Sequence, residues 1–69
     1  MSDLTWIQFV ARWAADNGLA FNTALPLIRM SARYTKAHFS WLAGQYDSAE
    51  TFLLLAAAEK GLAKRSGPA

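Results

Sequence analysis

The sequence predicts an all-α protein. Its architecture is a small three-helix antiparallel bundle, with helices over about residues 5–17, 24–43 and 47–60, forming a helical homodimer. Three observations carry this expectation. Apolar residues recur at spacings of three and four along each stretch, which is the helical period. Glycines stand at positions 18, 44 and 61, just past each periodic stretch, where a helix C-terminus favours them. No period-2 alternation runs long enough to make a strand.

A chain of 69 residues is one domain, here over about 1–65, with 66–69 as a tail. It contains no cysteine, so neither a disulfide nor a thiolate metal site can staple it. The composition is 54% hydrophobic and 13% aromatic. That is more apolar surface than a small monomer easily hides, and it favours self-association or a protein partner. The net charge is +2, so its distribution matters more than its total. The five acids, Asp3, Asp16, Asp47, Glu50 and Glu59, all lie outside residues 17–46. A second basic group, Lys60, Lys64 and Arg65, comes near the end. No basic stretch precedes an apolar run in the manner of a signal peptide. The longest apolar run, Phe52–Ala58, is too short to cross a bilayer. A cytoplasmic protein is expected, and the opening Met without a tag suggests a whole small gene product.

The first helix has a clear start. Thr5 and Gln8 are spaced as a capping box, and Leu4 and Phe9 as its hydrophobic staple. It should end at Gly18 with apolar Leu19 following, as a Schellman motif prefers. Residues 18–25 read as a linker with Leu19 and Phe21 turned inward. Thr23 is the expected N-cap of the second helix, because it places Pro26 in the first turn, where no donor is needed.

Residues 26–43 then read as one uninterrupted helix, apolar on two faces. Arg29, Arg33, Lys36 and Ser40 fall on one strip, and Leu27, Met30, Tyr34, Ala37 and Trp41 on a neighbouring stripe. This helix is expected to be central, with helix 1 on one face and helix 3 on the other. Asp47 and Glu50 mark the start of helix 3 as cap and dipole partners. Helices 1 and 3 are apolar nearly all round, so each lacks an outward face of its own. That pattern is the basis for expecting a homodimer, with Trp6, Phe9, Val10, Trp13, Leu54 and Leu55 in its interface.

Enzymatic chemistry has little to stand on. The single histidine, His38, has no acid placed in sequence to orient it. Ser31 lies seven residues away, about 10 Å along a helix and beyond hydrogen-bond reach. One histidine and no cysteine leave no nucleus for a metal site, and the dispersed glycines form no phosphate loop. No cofactor, catalytic residue or small-molecule substrate is expected. A membrane-surface role is disfavoured, because the basic strip sits on a helix needed for the core.

For DNA binding, the turns at Gly18 and Gly44 are the two candidate turns of a helix-turn-helix. Neither is followed by a segment that offers polar side chains to base edges. The strip Arg29, Arg33 and Lys36 could nonetheless hold phosphates. The residue types enriched in interface hot spots give the stronger signal. Met30, Tyr34 and Trp41, with Tyr46 beyond and Arg29, Arg33 and Lys36 as a rim, read as a protein-docking surface for an acidic partner. The first expectation is thus a non-enzymatic module that binds and modulates a larger cytosolic protein, as an accessory inhibitor or adaptor of the kind carried by phages and mobile elements. The alternative is a small DNA-binding transcriptional regulator that uses the basic strip.

Overall fold

The computed structural model describes residues 5–62. The expectations for Leu4, Lys64, Arg65 and the tail fall outside that range. The described chain is all-helical, but it contains four helices rather than three: α1 (Trp6–Asp16), α2 (Phe21–Ile28), α3 (Ala32–Leu42) and α4 (Tyr46–Glu59).

Helix α1 starts and stops as its sequence dictates. The Thr5 hydroxyl accepts from the Gln8 N–H, and the Gln8 side chain accepts from the Thr5 N–H, completing the capping box. At the other end Gly18 takes φ 71°, a left-handed conformation that costs glycine nothing. The N–H of Leu19 then reaches back to Ala14 O at 2.8 Å, and that of Gly18 to Ala15 O at 3.1 Å. These are the two bonds of a Schellman motif. Trp6, Val10, Trp13 and Ala14 form the buried face, at helical spacing.

Helix α2 corrects the first expectation. It begins at Phe21, inside the stretch read as a linker, and its N-cap is Ala20 with no side-chain cap. Thr23 therefore sits within the helix, and so does Pro26. Packing outweighs both local signals. Starting at Phe21 buries Ala24 and Ile28, four apart, and sets Phe21 and Leu25 against the core. Pro26 cannot donate to the Asn22 carbonyl, but both residues are exposed, where that loss is least costly.

The single helix expected over 24–43 is broken by Arg29, Met30 and Ser31. Ser31 is extended, with φ −95° and ψ 140°, and caps α3 by accepting from the Arg33 N–H at 3.1 Å. Its hydroxyl donates in turn to Glu59 at the end of α4. The apolar period ran through this break because α2 and α3 are each amphipathic, so the pattern concealed the interruption. Met30 is consequently 72% exposed while Ala37 is fully buried, and the stripe joining them is not one ridge.

Helices α3 and α4 form an antiparallel hairpin and make the most extensive contact in the chain. Gly44, at φ 83°, lets the chain reverse, with Gln45 N–H bonded to Ser40 O at 2.9 Å. Alanines at 37, 49, 56 and 57 are all fully buried and let helix backbones approach closely. Helix α4 starts one residue earlier than expected, so Tyr46 is helical. Gln45 is the N-cap without a side-chain bond, and Asp47 stands in the first turn rather than as the cap. The acid still faces the positive end of the dipole. The central-helix arrangement is replaced too: α2 touches α1 and α4, and α3 pairs with α4.

Leu53 is fully buried in the main core cluster with Ile28 and Val10. Leu53→Ala is expected to destabilise the chain by about 3 kcal/mol, through lost transfer energy and the cavity left behind. Urea unfolding followed by circular dichroism checks this. Leu55→Ala, at a position 43% exposed, should cost well under half as much.

Candidate functional site

The break at Ser31 creates a unit that neither glycine turn offered. An eight-residue helix, α2, is joined to α3 by the three residues Arg29–Ser31. This is the element order and connection length of a helix-turn-helix. The connection holds no glycine and, among the described residues, no non-glycine residue takes positive φ. The break comes instead from extended Ser31, which is 4% exposed.

The outer face of α3 begins at this turn. Ala32, Lys36 and Phe39 lie along one line, with Arg33 and Thr35 on either side, and all five are exposed. Arg29 is exposed at the C-cap of α2, next to the same end. The three cations are therefore grouped at the N-terminal end of α3, although Arg29 no longer shares its helical register. Arg33 Nη1 lies 3.9 Å from Glu59 Oε1, with both side chains nearly half exposed. An ion pair of that exposure contributes little to stability. Lys36 has no ion pair among the described residues.

The other residues expected to bind protein are divided. Tyr34 and Trp41 are half-buried and pack against the core. Trp6 Nε1–H donates to Tyr34 Oη at 2.8 Å, and the Trp6 ring lies 5.6 Å from each of the Tyr34 and Trp41 rings. His38 stacks on Trp6 at 4.6 Å with the ring planes 10° apart. This aromatic cluster joins α1 to α3 through large side chains, and it accounts for His38 as packing. Met30 and Tyr46 remain exposed, Met30 in the turn and Tyr46 at the start of α4, where Phe9 approaches it at 6.1 Å. Of the residues expected to dimerise, Trp6, Val10 and Trp13 are buried within the single chain and Phe9 is half-buried. Leu54 and Leu55 are exposed on the outer face of α4.

Phe39 and Leu42 have no role in the sequence expectation, yet they are 66% and 61% exposed. In a single helix over 26–43 the two share a stripe with Ile28 and Ala32, one of the two apolar faces expected to be covered by helices 1 and 3. Ser31 falls inside that single helix too. The available signal was a serine directly before a fresh run of helix formers, a favoured N-cap pattern. No group of three or more potential metal ligands occurs among the described residues. None of their helices is long and apolar enough to cross a membrane. A shallow, open depression beside Gly44–Ser48 is lined by the α3–α4 turn. No protein-family model, curated protein or solved structure matches the chain.

The Trp6–Tyr34 bond separates packing from polar satisfaction. Tyr34→Phe keeps the ring and removes the acceptor, so it should cost about 1 kcal/mol. Tyr34→Ala also removes ring packing and should cost at least 3 kcal/mol or so. Thermal unfolding of both variants checks the order, and equal losses would show the ring contributes nothing beyond its hydroxyl.

Proposed function

We propose that the protein is a small DNA-binding module of the cytoplasm that presents the N-terminal half of α3 to duplex DNA. The observation that carries this reading is the α2–turn–α3 unit, with Arg29, Arg33 and Lys36 exposed around the start of its second helix. The glycine turns expected from the sequence offer no such helix, whereas the Ser31 break does. With the turn at Arg29–Ser31, the segment that follows has the polarity a groove requires. Arg33 and Lys36 suit phosphates and guanine edges, Thr35 either role, and Phe39 the thymine methyl group.

Wild-type protein should bind random-sequence duplex DNA with an affinity that falls linearly as salt rises on logarithmic axes. Lys36→Ala should weaken that binding about fivefold and lower the salt slope by about one, as expected for a lost phosphate contact. Fluorescence anisotropy across a salt series measures both. Absent or salt-independent binding would sink the reading.

A second reading is favoured by a different observation. Phe39, Leu42, Leu54 and Leu55 are all more than 40% exposed on the α3–α4 hairpin. Large apolar side chains so placed suit a second copy or a larger protein partner. A homodimer through Leu54 and Leu55 is compatible with DNA binding by α3, since paired recognition helices read paired half-sites. Light scattering after size exclusion tests it: the wild type should elute as a dimer and Leu54→Lys with Leu55→Lys as a monomer. A wild-type mass of 7.6 kDa at micromolar concentration removes the dimer. The inhibitor reading would then rest on capture of a protein partner through the same apolar face.

A further inference from the structure

We infer that Glu59 is a built-in electrostatic brake on nucleic-acid binding. This rests on the proposed DNA-binding reading of α3. Glu59 is the last residue of α4, yet its carboxylate lies beside the first turn of α3. Two contacts put it there. Its Oε1 accepts from the Ser31 hydroxyl, and the same oxygen lies 3.9 Å from Arg33 Nη1.

The two contacts are unequal. The separation from Arg33 is too long for a charge-assisted hydrogen bond, which runs about 2.7–2.9 Å. Arg33 therefore does not hold Glu59, and Glu59 does not orient the Arg33 fork. Ser31 does the holding. Its hydroxyl is buried, and its oxygen is itself engaged by the Arg33 backbone N–H at 3.1 Å. An ordinary surface acid would swing away as a polyanion approached. This carboxylate is anchored through a buried hydroxyl, so its charge stays beside Arg33. It offsets part of the Arg33 charge and repels incoming phosphate at the end of α3 where Arg29, Arg33 and Lys36 gather. Lys36, one turn further on, has no such partner among the described residues.

The test uses the full chain and a random-sequence duplex DNA in a salt series. Glu59→Gln keeps an acceptor for Ser31 and removes the charge. It should bind about three- to tenfold tighter than wild type at low salt, with the gain shrinking as salt screens the interaction. Glu50→Gln removes an exposed acid from the same helix and should change affinity less than about twofold. A second comparison leaves Glu59 in place. Ser31→Ala removes the anchor and keeps the charge, so the freed carboxylate can swing away and the variant should bind about two- to threefold tighter than wild type at low salt. Circular dichroism confirms that each variant is folded.

If wild type binds but Glu59→Gln binds no tighter than Glu50→Gln, the brake is overturned while the DNA reading stands. Should Glu59→Gln fail to fold, a folded Ser31→Ala that binds no tighter than wild type overturns it equally. If neither wild type nor Glu59→Gln binds DNA, the DNA reading itself falls and the brake with it.

Discussion

The arrangement depends on one residue leaving the helical conformation. Ser31 is extended, and its hydroxyl both caps α3 and bonds Glu59. A continuous helix over 21–42 would be a rod of about 33 Å. Such a rod could not set Ala24 and Ile28 against the core while also laying α3 along α4. Breaking it at 29–31 lets α2 turn to meet α1 and α4. The cap supplies a partner for an otherwise orphaned N–H, and the Glu59 bond satisfies the buried hydroxyl. One side chain thus settles the direction of α3 and ties its start to the end of α4.

The core is assembled in two ways. Between α3 and α4 it uses alanines, which let backbones come close. Between α1 and α3 it uses Trp6, Phe9, Tyr34, His38 and Trp41, which fill a wider gap. The polar edges of these rings are treated unequally. Trp6 Nε1 has Tyr34 Oη, whereas Trp13 Nε1 is buried with no hydrogen-bond partner among the described residues. An unmet donor of this kind costs about 1–3 kcal/mol. Ring burial around Trp13, 4% exposed, must offset that cost.

The surface follows from this packing. Because α1 contributes aromatics to the interior, it can carry Arg12 and Asp16 outward. Helices α3 and α4 bury their alanine faces against each other and are left with Phe39, Leu42, Leu54 and Leu55 outside. The cations of the α2–α3 turn and the start of α3 therefore adjoin apolar side chains further along the hairpin.

Much of the local structure was legible in the residues themselves. The capping box at Thr5, the helix ends at Gly18 and Gly44, and the helical class follow from short-range hydrogen bonding and backbone sterics, which a sequence states directly. The exposed cations on the 26–43 stretch were legible for a different reason, because unpaired charges are costly to bury. The break at Ser31 was not. Serine is a weak signal by itself, no Glu or Gln follows at the capping-box spacing, and the apolar period passes through it undisturbed. Its decisive partner, Glu59, lies 28 residues away. Likewise Thr23 and Pro26 argued locally for a later helix start, and the burial of Ala24 and Ile28 overruled them. The sequence by itself determined that the chain is helical and where most helices end, because those are contacts between near neighbours. Only the tertiary structure decided that the central stretch is two helices with an outward-facing second one, because that choice depends on what α4 brings to the turn.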